Sequence, residues 1–132
     1  MKKTIINWVV LVFLSAPVAA KDKAVVNEVV VDERTHLIWQ KNHIAEKEHE
    51  EAMVYCRDLI YAEKNDWRLP NYDELVSAFW ISDRFTGAAT YWSSTSHKTN
   101  ADYKWYVDFK SGDVSLDSSG DDNFVRCVRG GK

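Results

Sequence analysis

The 132-residue chain holds only two cysteines, two prolines and five glycines, and it has no run of basic residues. Each scarcity excludes something. Without a Lys/Arg stripe there is no footprint for nucleic acid, which binds through neutralised phosphates. Without a Cys-x-x-Cys pair, neither a structural zinc site nor a dithiol redox centre is favoured. Linkers, repeats and low-complexity segments are also missing, so one domain with one core is expected. The one long apolar run, residues 8–14, is far shorter than the roughly 20 residues a spanning helix needs.

That run sits behind Lys2 and Lys3 and ahead of the small residues Val18-Ala19-Ala20, the layout of a secretory signal. Residues 1–20 are therefore expected to be cleaved, leaving a domain over 21–132 that is periplasmic or secreted, with no membrane span. Cleavage would leave 15 basic residues against 20 acidic ones, a net charge of −5. A strongly anionic partner is disfavoured. In an exported chain, Cys56 and Cys127 are expected to form a disulfide, which would stabilise the fold by roughly 4 kcal/mol on the chain-entropy model. The competing readings are a metal pair and a reactive thiol.

Patterning along the chain points to α+β. Residues 25–31 are mostly valine, Asp32-Glu33-Arg34-Thr35 is a polar turn, and Leu37-Ile38-Trp39-Gln40 follows, which together predict a hairpin. The period changes over 46–62, where Ala52, Met53, Cys56, Leu59 and Ile60 recur at helical spacing. Pro70 then stops the chain, and Asn71 with Glu74 three residues on forms a capping box for a second helix over 72–80. Residues 81–102 read as a long loop holding one short strand, Tyr91-Trp92-Ser93-Ser94. Clean alternation through Trp105, Val107 and Phe109, with a turn at Lys110-Ser111-Gly112-Asp113, predicts a closing antiparallel sheet whose last strand spans 124–129.

Taken in order, several of these strings resemble one family, the Lcl C-terminal domain, named for the end domain of a collagen-like bacterial adhesin. They are Thr35-His36-Leu37-Ile38-Trp39-Gln40, Tyr55-Cys56, Asp66-Trp67-Arg68-Leu69-Pro70, Tyr91-Trp92-Ser93-Ser94-Thr95, Trp105-Tyr106-Val107-Asp108-Phe109 and Val125-Arg126-Cys127-Val128-Arg129. The resemblance implies a C-type-lectin-like fold, two helices on small antiparallel sheets with long loops, and a structural bridge between Cys56 and Cys127. It is distantly similar to the formylglycine-generating sulfatase-modifying enzymes, whose catalytic cysteines lie close together in the chain. Here they are far apart, so no enzymatic activity is expected. Two turns depart from the family pattern: His36 stands where glycine is usual, and Ala62-Glu63-Lys64-Asn65 lacks the usual glycine after the first helix.

Chemistry is sparse. His49-Glu50 opens like a zincin helix, but Met53 occupies the second ligand position. His36, His43, His49 and His97 read as surface or turn residues. Ser93 and Ser94 lack a nucleophile elbow. Asp117, Asp121, Asp122 and Asn123 supply the oxygens calcium wants, with Asp102 and Asp113 as conceivable additions, although a solvated acidic turn is the plainer reading. No other cofactor is expected. Of the five tryptophans that would remain, Trp39, Trp67 and Trp105 lie on patterned elements and are expected in the core. Trp92 belongs with them as part of the motif framework. Arg68 and Arg126 are expected as half-buried cations bonded to loop carbonyls.

Trp80 and Tyr103 are the aromatics expected to be exposed. With Asp83 and Arg84 they form the candidate ligand-binding set, on a surface made by 81–103 and 117–123. The expected function is a non-enzymatic exported module that recognises a surface glycan or protein. The alternative is a structural accessory of an envelope or pilus assembly with no small ligand. A sulfatase-modifying-type enzyme ranks last.

Overall fold

A computed structural model describes residues 28–131; the expected signal segment lies outside them. The architecture is α+β. Strands β1 (Val29–Asp32), β2 (Leu37–Gln40) and β8 (Val128–Gly130) form a three-stranded sheet in the order β1-β2-β8. Strands β3 (Ile44–Lys47), β4 (Thr90–Ser96), β5 (Tyr103–Asp108), β6 (Val114–Ser118) and β7 (Asn123–Val125) form a second sheet, ordered β3-β7-β4-β5-β6. Helices α1 (His49–Asp58) and α2 (Tyr72–Phe79) pack on these sheets. Two apolar clusters result. Trp39, Leu75, Tyr91 and Val107 centre one of them, while Trp67, Trp92, Val125 and the cystine centre the other.

The β1–β2 hairpin forms where the pattern placed it over the described residues; residues 25–27 of the expected first strand lie outside them. Its turn is held by Asp32, a buried carboxylate that accepts from the Arg34 backbone N–H at 3.0 Å and from its guanidinium at 2.7 and 3.0 Å. The capping box at α2 is also present: Asn71 Oδ1 accepts from Glu74 N at 2.8 Å, and Asn71 N donates to Glu74 Oε1 at 2.9 Å. Arg68 reinforces it with two bonds to the same carboxylate, both 2.8 Å. Burial pushes the Glu74 carboxyl up, but the Arg68 guanidinium and the Asn71 amide outweigh that and hold it below its ordinary range.

Four expectations need correction. The first helix is shorter than 46–62, because residues 44–47 pair with β7 and the Lys47 carbonyl is taken by Trp92 Nε1 at 2.7 Å. Glu48 then caps α1 in a box with Glu51, and Leu59 ends it in extended conformation. Tertiary pairing has overridden local helix propensity. Met53 and Ile60, expected on the core face, are exposed, whereas Ala52 and Cys56 are fully buried.

The strand expected inside a long loop is instead seven residues long and lies between β5 and β7. Tyr91, Trp92 and Ser93 are all fully buried, and a strand covered on both faces shows no alternation to read. Lastly, the strand expected over 124–129 breaks at Arg126-Cys127. Its first half joins the five-stranded sheet and its second half the three-stranded sheet. Cys127 closes a disulfide to Cys56 across a separation of 71 residues, and among the described residues no cysteine is free.

The two turns without their glycines carry left-handed backbone: His36 at φ +64°, Ala62 at +52° and Glu63 at +63°. A residue with a Cβ is disfavoured there by about 1–2 kcal/mol, partly offset by the entropy glycine loses on folding. His36→Gly should therefore raise stability by about 0.5 kcal/mol, and Ala62→Gly with Glu63→Gly by about 1 kcal/mol. Urea midpoints at unchanged slope would register both gains; a midpoint that fell would refute the assignment of strain.

Candidate functional site

Trp80 sits at the C-terminal end of α2 and is 75% exposed, so its indole presents most of its surface to solvent from a fixed base. That base is aromatic. Phe79 meets Trp80 edge-to-face at 6.1 Å and Phe109 at 6.1 Å. The β5–β6 turn leans on Phe79 through Gly112 (φ +85°), where a Cβ would come within 2.8 Å of the ring. Directly after Trp80, a 3-10 turn (Ser82–Arg84) projects Asp83 and Arg84 into solvent. A groove of about 350 Å³ adjoins this turn, lined by Val31, Asp32, Glu33, Arg34, Ile81 and Arg84. Trp80, Asp83 and Arg84 are thus exposed within five consecutive residues, and Arg84 borders the groove.

Tyr103 does not belong to it. It is 42% exposed but opens β5, at the far end of that strand from the Gly112 turn. Around it lie the acidic residues: the Ser119 amide bonds the Asp102 carbonyl at 2.8 Å. Three of the four candidate calcium ligands, Asp117, Asp121 and Asn123, are engaged in hydrogen bonds within the protein. Asn123 is buried, donating to Asp117 at 2.8 Å and accepting from Thr90 at 2.6 Å, so it brackets β7 to β4. Asp121 accepts the Ser118 amide at 3.1 Å, and Asp122 is exposed. Among the described residues no three His, Cys, Asp or Glu side chains are placed to hold a metal ion.

The motif residues form the framework. Trp39, Trp67, Leu69, Pro70 and Trp92 are buried, and Trp67 Nε1 donates to the Tyr61 carbonyl at 3.1 Å. Trp105 is only half-buried, against Tyr72 at 5.4 Å. Arg68 is half-buried and reaches the Gly130 carbonyl at 3.0 Å as well as Glu74. Arg126 departs from expectation by being fully buried. Its guanidinium bonds the carbonyls of Gln40 (3.0 Å), Lys41 and Thr86 (2.9 Å) and the Tyr91 hydroxyl (2.8 Å), and it lies over the rings of Phe85 and Tyr91.

His49 is another correction, since it is buried rather than a surface residue. Its Nε2–H donates to the Ser93 carbonyl at 2.8 Å, and burial pulls its pKa below the ordinary value. His43, Tyr91 and Arg126 form a cluster that the sequence reading missed. Separations of 48 and 35 residues leave no local signal for it.

Fold and surface together define a small α+β domain tied by one disulfide and carrying an exposed aromatic face. The chain belongs to the Lcl C-terminal domain family, whose model matches residues 28–129. No curated protein matches it. Among the described residues no helix is long and apolar enough to cross a membrane.

Proposed function

We propose that the protein is an exported, non-enzymatic binding module of C-type-lectin-like kind, recognising a carbohydrate or protein surface through Trp80, Asp83 and Arg84. The observation that carries this reading is the 75% exposure of Trp80 on a buttressed helix end. An indole placed there costs solvation in the free protein, and burial under a ligand would recover it. Membership of a family named for an adhesin's end domain supports the same reading. The distant pairing of Cys56 with Cys127 supports a non-enzymatic role, since a sulfatase-modifying site needs neighbouring reactive thiols.

A second reading, an accessory that docks in an envelope or pilus assembly, draws on Ile60 and Met53, which are 77% and 38% exposed around α1. A glycan array probed with the oxidised protein, with calcium and with chelator, separates the two. Specific signal supports the first; a blank array in both conditions moves the weight to the second. Trp80→Ala should cost about 2 kcal/mol or more of binding. Its stability should change by no more than about 0.5 kcal/mol, because little of the side chain is packed. Binding left intact by this substitution would defeat the Trp80 assignment.

A further inference from the structure

We propose that His43, Tyr91 and Arg126 form a proton-operated latch that fastens the segment 86–89 at neutral pH and releases it in acid. The partners favour one set of hydrogen-bond directions. Arg126 donates to the Tyr91 oxygen at 2.8 Å, so the phenol proton is free to point away from it. Its near acceptor is His43 Nδ1 at 2.7 Å; the Gly87 carbonyl is a poor alternative at 3.4 Å. That bond requires a neutral His43 with its proton on Nε2. The ring packs against Phe124 at 4.6 Å and over Gly87 (φ +86°), where a Cβ would come within 2.6 Å of it.

The same cluster holds the segment from its other side. The Thr86 amide donates to the Lys41 carbonyl at 2.9 Å, and Arg126 bonds the carbonyls of both Lys41 and Thr86. One guanidinium therefore joins the end of β2 to the start of this segment.

Protonation acts first on the His43–Tyr91 contact. Nδ1 becomes a donor facing a hydroxyl that already accepts from Arg126, and the phenol proton is left with the distant Gly87 carbonyl. A second positive charge also arrives beside a buried guanidinium that, among the described residues, has no carboxylate partner. The groups facing the ring are Tyr91 from β4, Phe124 from β7, Gly87 from the segment itself and Arg126; Arg126 is the charge that acts on the ring, opposing a second one. Burial first and Arg126 second hold the His43 pKa below 6.5. The closed latch thus binds fewer protons than the open one. It is strongest above pH 6.5 and weakens as pH falls from there through the lowered value. Residues 86–89 follow the turn bearing Asp83 and Arg84, so an effect on binding would rest on the function proposed above. The latch itself does not.

The test is read on the segment and not on binding, which keeps the two failures distinct. In the oxidised protein, the His43 ring is titrated by NMR while amide protection factors are followed. The Thr86 protection factor should fall at least about tenfold more than those of the β5 amides, with a midpoint that follows the His43 curve. His43→Gln keeps an acceptor for the Tyr91 proton but cannot charge, and it should abolish the pH dependence. Flat Thr86 protection across the His43 titration would overturn the proposal, as would the same pH profile in His43→Gln. If that variant does not fold, the comparison within the unaltered protein decides alone.

Discussion

Reducing the bond between Cys56 and Cys127 should lower stability by about 4 kcal/mol, the chain-entropy value for a loop of this length. The link spans 71 residues and joins the core face of α1 to the crossing between the two sheets. Both half-cystines are fully buried, so the reduced thiols would remain packed and the loss would fall mainly on the unfolded state. Against a total of about 5–15 kcal/mol for a domain, this is a large fraction. Urea unfolding with and without reductant measures it directly. A change below about 1 kcal/mol would mean that the open chain already keeps α1 and β8 close. Cys56→Ala with Cys127→Ala should lose somewhat more than reduction does, because two buried sulfurs leave cavities.

The crossing at Arg126-Cys127 marks the boundary of what could be read in advance. Devices spanning a few residues were legible. Asn71 and Glu74 announce their own helix start, and Asp32 with the residues after it announces a turn, because the partners of each hydrogen bond lie within a few positions. The glycine missing at His36 and after α1 was legible too, as a departure whose cost appears in positive φ values. Trp80 was picked out as exposed because it ends a helix beside a polar stretch. Contacts across the chain left no such trace. The Ser/Thr-rich composition of β4 resembles a loop, and only burial between two neighbouring strands makes it central. His49 looked like a surface histidine because its partner, the Ser93 carbonyl, is 44 residues away. Tyr103 and Trp80 are both exposed, yet the length of β5 separates them, and no spacing in the sequence reveals that.

Arg126 is where those distant contacts concentrate, and its removal should have the largest effect of any single substitution. Arg126→Ala should destabilise the domain by about 3–5 kcal/mol, because several buried acceptors lose a charged donor and each such loss costs about 1–3 kcal/mol. Three carbonyls and a phenol would lose the guanidinium at once: Gln40 and Lys41 at the end of β2, Thr86 in the segment before β4, and Tyr91 within it, with Lys41 keeping the Thr86 amide and Tyr91 keeping His43. The aromatic faces of Phe85 and Tyr91 would lose their cation as well. Burial lowers the Arg126 pKa, with Tyr91 opposing the shift, but an arginine so placed keeps its charge. Lysine keeps the charge but not the fork. A single ammonium cannot reach both the β2 end and Thr86 in the plane the carbonyls define, so Arg126→Lys should still cost about 2–3 kcal/mol. Arg126→Met separates charge from packing: it fills much of the volume while removing the buried cation and its four hydrogen bonds. If methionine proved as stable as arginine, the carbonyls would have found water, and the guanidinium would count as filler. If methionine and alanine both lost several kcal/mol, the hydrogen bonds that join the two sheets would be the stabilising element. Urea midpoints for the three variants at unchanged slope distinguish these cases.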